Sequence, residues 1–443
     1  MARGNGISWK LRLAALRYRF KESLFFYPSL IMLVGIVLAL VTPAIDNALG
    51  YGSPVPFTVA MSSNAATWLL ATVAGAMITT VGVVFSLTVV SLQLASGQFS
   101  PRVMRSFIRD RLSQRVIGFL LATFFYCVLV LPRISGEPTD PAPQISLMVA
   151  IVLTLVTVIG IILHLDHLAH GLQVGNVARS IEVEGEAVAT AHDSTPPGLQ
   201  HADAKEFHDA PDEAVVISSP FNGWVSQIDL GQLFKAAPAG TVVRMETRVG
   251  AYIHSGEPLI TAWPPLPERN RKGLAEAIEI SDARAMLQDV DFAIRQLVDI
   301  GLRALSPAIN DPTTAVEVIL RLGSLLRTVL AAPLAPPALK DGTGRVLVQP
   351  WNLSHEEYIS HAFDQLRQKC LDQTEVTGTL LRVLRMLMDH VQDEDREHLV
   401  GPLQRQVRLL LESLREQPGL HPEDVERLYA LVSEDTDPAD HSR

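Results

Sequence analysis

The sequence predicts a membrane α-helical protein with four transmembrane helices, followed by a cytosolic α+β region that holds a small β barrel-sandwich-like domain and a helical domain. Three observations predict it. Apolar residues crowd into long runs before Leu168, Lys and Arg alternate between the loops that join those runs, and short β-branched segments punctuated by glycine then give way to helical periodicity. The 443 residues suffice for two or three domains.

A hydrocarbon core needs about 20 residues of helix to cross it. Residues 24–41 meet that length and end near Pro43. Residues 65–94 carry no charge and extend roughly 45 Å at about 1.5 Å per residue, so this helix must tilt or project beyond the core. Residues 116–131 are short, and the third helix borrows a turn with Arg115 reaching to the interface. Residues 145–163 make the fourth. The first run lies behind a basic head and is not followed by a small-residue cleavage pattern, so a cleaved signal peptide is not expected.

Orientation follows from the basic residues. Arg3, Lys10, Arg12, Arg17, Arg19 and Lys21 precede the first helix, and Arg102, Arg105, Arg109, Arg111 and Arg115 stand between the second and third. Residues 46–64 carry none, and residues 132–144 only Arg133. The positive-inside rule places both termini in the cytoplasm. No Asp, Glu, Lys or Arg falls within the four apolar runs, which disfavours a proton relay or a voltage sensor. The two cysteines, Cys127 and Cys370, lie in different regions and imply no disulfide framework, as suits a reducing compartment.

The second run is rich in small and hydroxylic residues. Thr72, Thr79, Ser86 and Gln93 recur every seventh position and form one drifting stripe, with Gly75 and Gly82 beside it. Close helix packing is the simpler account, since small residues let backbones approach. The sharper one is a pore wall, in which hydroxyls and an amide line a water-filled path in an oligomer. After the fourth run, His164 shares a helix face with His167, and Asp166 with His170. Two ligands at a time without visible further ones are weak evidence for a metal, and a titratable helix end at the interface accounts for them.

Residues 180–211 lose periodicity and read as a linker. Residues 214–263 then alternate in short strands around Gly223, Gly240, Gly250 and Gly256. The stretch 249–259 resembles the turn signature of barrel-sandwich domains of the biotinyl and lipoyl type. Those carriers present a lysine on a hairpin, whereas Lys235 follows Gln232-Leu233-Phe234 in a helix-like context. A scaffold role fits better than a swinging arm.

The densest polar pattern runs from Gln288 to Ala315. Asp291, Arg295, Asp299 and Arg303 alternate in sign at i,i+4 along a helix otherwise apolar nearly all round, which predicts a ladder of ion pairs in a core or interface. Ser306-Pro307 ends that helix, and Asp311-Pro312 starts the next as N-cap and first residue. With Asn310 these residues could form a polar pocket for an anion or metal. Capping and pairing already give each of them a sufficient role. Ser306 has no histidine near it in sequence, so no hydrolytic site is expected. Beyond it, Asp341-Gly342 predicts a hairpin turn, and helices follow over 361–368, 377–391 and 396–415. The end of the chain, from Ser433, is acidic and reads as disordered.

The runs 75–79, 83–86, 92–102 and 303–312, the last reading Arg303-Ala304-Leu305-Ser306-Pro307-Ala308-Ile309-Asn310-Asp311-Pro312, are similar to a bacterial family of predicted inner-membrane proteins classed only as a domain of unknown function. The resemblance covers nearly the whole chain. It implies a bacterial inner membrane and carries over no catalytic or binding residues. Asp166-His167 stands where the family pattern would have two adjacent histidines, which weakens a metal there further.

The expected organisation is a basic segment (1–22), a four-helix membrane domain (23–171), a linker (172–213), a β domain (214–264), a helical domain (270–432) and an acidic tail (433–443). The net charge of −10 falls mainly after the membrane runs and argues against a nucleic-acid surface. The function expected is a homo-oligomeric ion channel or pore with a cytosolic gating or assembly region. The alternative is a membrane-anchored sensor or scaffold that binds a ligand or partner. Neither an enzymatic activity nor a cofactor is expected, and the partners are the lipid bilayer, further copies of the chain and a small ion or ligand.

Overall fold

The computed structural model describes residues 26–50, 61–98, 111–134, 140–171, 173–191, 198–207 and 209–433. The basic N-terminal segment, Arg102, Arg105 and Arg109, and the tail from residue 434 lie outside the described residues. The chain divides into two compact units at Val174.

The first unit holds four helices long and apolar enough to cross a membrane. They are α1 (Phe26–Leu49), α2 (Ser63–Gln98), α3 (Arg111–Val130) and α4 (Gln144–Gly171). Helix α3 is the hub on which the other three pack. Small residues let α1 come close to it: a Cβ on Gly35 would stand 2.8 Å from that of Ala122, and one on Gly118 would stand 3.1 Å from Cα of Pro28. Helix α1 does not stop near Pro43. It runs on to Leu49 with the proline inside, and Thr42 Oγ1 donates to Leu38 O at 3.0 Å. This extension brings Asp46 into the first span.

The second unit begins with α5 (Val174–Ala191), where the sequence reads as linker. Its buried face joins the small residues Ala178, Gly185 and Ala189 to Val177, Ile181 and the charged Glu182, so the helical period is present but weak in hydrophobicity. The helix is fixed by what it packs on: a Cβ on Gly185 would lie 2.7 Å from Ala293 and 3.0 Å from Leu325. Strands and helices then follow as β1 (Leu199–His201), β2 (Val215–Ser218), β3 (Gly223–Ile228), α6 (Leu230–Ala236), β4 (Val242–Met245), β5 (Tyr252–Ile253), β6 (Pro258–Trp263), α7 (Glu268–Ala275) and β7 (Ile278–Ser281). Next come α8 (Val290–Ala304), α9 (Pro312–Ala331), β8 (Ala338–Asp341), β9 (Val346–Val348), α10 (His355–Lys369), α11 (Thr374–Asp393), α12 (Val400–Glu416) and α13 (Pro422–Ser433).

Six strands form one sheet in the order β1-β8-β9-β4-β6-β2, and three form another, β5-β3-β7. One core lies between them, with Ile217, Val243, Met245, Ile260 and Leu347 from the first sheet and Val225, Ile253 and Ile278 from the second. The β region is thus larger than residues 214–264. The hairpin β8–β9 enters it through a parallel pairing of β9 with β4, Val243 opposite Leu347, and β7 pairs with β3. The helices form a second packed layer, and α10 opens on a capping box in which Ser354 and Glu357 bond each other's backbone N–H.

Candidate functional site

Two places concentrate polar chemistry: the outer face of α2 and a buried charge cluster at the start of α8. On α2, the residues turned into the first unit are Ala66, Leu70, Ala74, Met77 and Val84. Thr72, Thr79, Ser86 and Gln93 are all exposed, and a Cβ on Gly75 or Gly82 would meet nothing within 4 Å. Packing within the protomer therefore does not account for the stripe. Thr79 bonds Gly75 O at 2.8 Å, which lowers the cost of its exposed hydroxyl.

The other spans turn polar groups inward. Tyr126 Oη donates to Ser146 O at 2.9 Å and shares a 2.7 Å hydrogen bond with Thr42. Thr123 and Thr157 meet at 2.9 Å, and Ser113 Oγ lies 3.2 Å from His164 Nδ1. Asp46 accepts from the backbone N–H of Ile145 and of Ser146, both at 2.9 Å, and so caps α4.

His164 is buried against Ser113, whereas His170 lies exposed, 2.8 Å from Asp166 O. Among the described residues no group of three or more His, Cys, Asp or Glu is placed to hold a metal ion.

In the second unit, the cluster is built from three elements. Asp289, the N-cap of α8, accepts from Phe292 N at 3.2 Å and from Arg284 Nε at 2.6 Å. Arg284 also donates to Asp291 Oδ2 at 2.8 Å, and its guanidinium lies between the rings of Trp224 (5.6 Å) and Phe292 (5.3 Å). On its other oxygen Asp291 takes His361 Nδ1 at 2.7 Å, with Arg295 Nε at 3.6 Å. Burial alone would raise the Asp291 carboxyl, but the hydrogen bonds from His361 and Arg284 and the charge of Arg284 outweigh it and hold the group well below the ordinary carboxylate range. Gly250, at φ +80°, passes beside the Asp289 carboxylate, where a side chain would collide with Oδ2.

Of the predicted ladder, the structure brings Asp291 and Arg295 together, while Asp299 and Arg303 sit half-buried on the following turns. Asp311 caps α9 as its sequence predicts, accepting from Thr314 N at 3.1 Å, with Pro312 first in the helix. Asn310 takes a left-handed φ of 47° and accepts from Gln373 Nε2 at 3.1 Å. These two residues lie at the other end of α8 from Asp291, so the single pocket read from the motif is not formed. Of the partners that matter most to Asp291, His361 is 70 positions away and carries no local signal, while Arg284 stands seven positions before it, outside the i,i+4 spacing that predicts the ladder. Lys235 lies on helix α6, not on a hairpin.

The chain matches, over residues 21–386, the family described as "Predicted membrane protein (DUF2254)". An uncharacterised protein of Mycobacterium tuberculosis and one of Mycobacterium bovis are each 30% identical over 361 residues, 79% of this chain and 68% of theirs. No solved structure matches the chain.

Proposed function

We propose, for a chain that belongs to this family of predicted membrane proteins, that it assembles with further copies of itself into an ion-conducting pore of the bacterial inner membrane, lined by α2 and with both termini cytoplasmic. One observation carries the reading: Thr72, Thr79, Ser86 and Gln93 face away from their own protomer, while the cross-helix polar pairs of α1, α3 and α4 are made inside it. An amide facing lipid is costly, and a water-filled path between copies removes that cost without any buried charge. Gly75 and Gly82 on the same side let neighbouring α2 helices approach. The C-terminal unit then acts as an assembly or gating region, and the reading involves no catalytic step.

The test is ion flux into liposomes that contain the purified protein. Wild-type protein conducts, and Ser86→Leu abolishes conduction while leaving the oligomer intact, because it places an apolar constriction in the path. Absence of flux across several ions and membrane tensions overturns the pore.

A second reading, a membrane-anchored sensor or scaffold, is supported by a groove of about 560 Å³ between α11, α12 and α13. Leu381, Val407 and Leu411 line it together with Arg385, Arg408, Arg415, Asp389 and Glu412, an apolar strip flanked by charges of both signs and suited to an amphipathic partner. A protein without flux that retains such a partner, and loses it on Arg408→Glu, supports this reading.

A further inference from the structure

We propose that the C-terminal end of α9 is an acid-sensitive clasp: with His355 neutral it closes the base of the excursion that carries β8 and β9, and on protonation of His355 it releases that hairpin. This device is independent of whether α2 lines a pore.

The clasp is built on backbone carbonyls. The last carbonyls of a helix lack donors within it, and at α9 side chains from elsewhere supply them. His355, the first residue of α10, donates from Nε2 to Ala332 O at 3.1 Å across 23 positions. His390, near the end of α11, donates from Nε2 to Arg327 O at 3.0 Å, and Arg396 Nη2 donates to Ala331 O at 2.6 Å. Between Ala332 and His355 the chain leaves the helices, forms β8 and β9 and returns, with Gln349 N donating to Pro337 O at 2.8 Å further out. The His355–Ala332 bond is therefore the innermost rung of an excursion whose outer part pairs with β1 and β4.

Charge makes the rung sensitive to acid. The negative end of the α9 dipole favours one cation, and Arg396 supplies it. His355 is 5% exposed. Burial, and then the charges of Arg396 and His398, press its imidazolium below the ordinary histidine range against the raising effect of the Ala332 and Val329 carbonyls. The carboxylates of the neighbouring segments are engaged or face solvent: Glu356 pairs with Arg405 at 3.6 Å, Glu357 closes the capping box with Ser354, and Asp389, Asp393, Glu394, Asp395 and Glu397 are exposed. The closed clasp thus prefers neutral His355. Its stabilisation is complete above the ordinary histidine value, about 6.5, and is lost as pH falls below it.

Hydrogen exchange of the full chain in detergent micelles, read by mass spectrometry and corrected for the pH dependence of intrinsic exchange, tests the clasp. From about pH 7.5 to about pH 5.5, protection of residues 338–348 is expected to fall by about threefold or more, while that of residues 376–384 within α11 holds. His355→Gln keeps an amide donor for Ala332 O and does not titrate, so protection of its hairpin should stay level over the same range. Wild-type protection that does not fall at 338–348, that falls equally at 376–384, or that falls as far in His355→Gln overturns the proposal. Should the variant not fold, the two wild-type segments decide between them.

Discussion

Asp46 binds Ser146 twice, accepting from its backbone N–H at 2.9 Å and from its hydroxyl at 2.6 Å across 100 positions of sequence. A carboxylate at the open N-terminus of α4 meets unpaired N–H groups and the positive end of the helix dipole, and it ties α1 to α4. Asp46→Ala leaves two buried N–H groups without an acceptor and is expected to cost about 1–3 kcal/mol, with Asp46→Asn costing less. Unfolding of the protein in mixed micelles by added SDS measures it.

Arg284 is the cation that two buried carboxylates share. Arg284→Met leaves Asp289 without its cation and Asp291 with only His361 and the more distant Arg295, and is expected to destabilise the second unit by roughly 3–5 kcal/mol, whereas Arg427→Ala, an exposed pair, changes stability by less than about 0.5 kcal/mol. Arg284→Lys rescues little, because an ammonium lacks the planar fork with which the guanidinium spans both acids. Urea titration followed by circular dichroism separates the three.

The depressed Asp291 carboxyl makes stability depend on acid. Its folded-state value lies below the unfolded one, near 3.9, so the unfolded chain takes up the proton first as pH falls. Its stabilisation is complete above about pH 5 and is lost as pH drops below about 4. The melting temperature should decline through that window, and Asp291→Asn should start lower and lose that part of the decline.

Gly250→Ala tests the closeness of the β4–β5 loop to the same cluster. It sets a side chain at φ +80° and drives it into the Asp289 carboxylate, which either moves and loosens Arg284 or holds the loop open. A loss above about 2 kcal/mol is expected from the strained backbone and the disturbed pair together. A loss no larger than that of Gly342→Ala, where nothing lies within 4 Å, would show that the loop gives way freely.

Gly75→Leu and Gly82→Leu separate contacts within the protomer from contacts between copies. A Cβ at either position meets nothing within 4 Å in its own chain, so protomer stability should hold within about 0.5 kcal/mol. If α2 packs on α2 of another copy, crosslinking in membranes should show the oligomer reduced by at least tenfold. An unchanged oligomer would place lipid, rather than another copy, against this face.

By itself the sequence determined the four spans, because a bilayer imposes length and hydrophobicity on each segment separately. It also determined the Asp311-Pro312 start of α9 and the turn at Asp341-Gly342, since caps and turns are made by near neighbours. Only the tertiary structure decided the rest. Helix α5 hides in a run of small residues and exists through its packing on α8 and α9. The six-stranded sheet joins β4 to β9, setting Val243 opposite Leu347 with the whole of α8 and α9 between them in the chain. Asp291 finds His361, and Asp46 finds Ser146, through folding alone, for no local periodicity encodes a partner 70 or 100 positions away. The stripe on α2 could be read from its spacing, but its direction, outward from the protomer, is a property of where Met77 and Val84 pack.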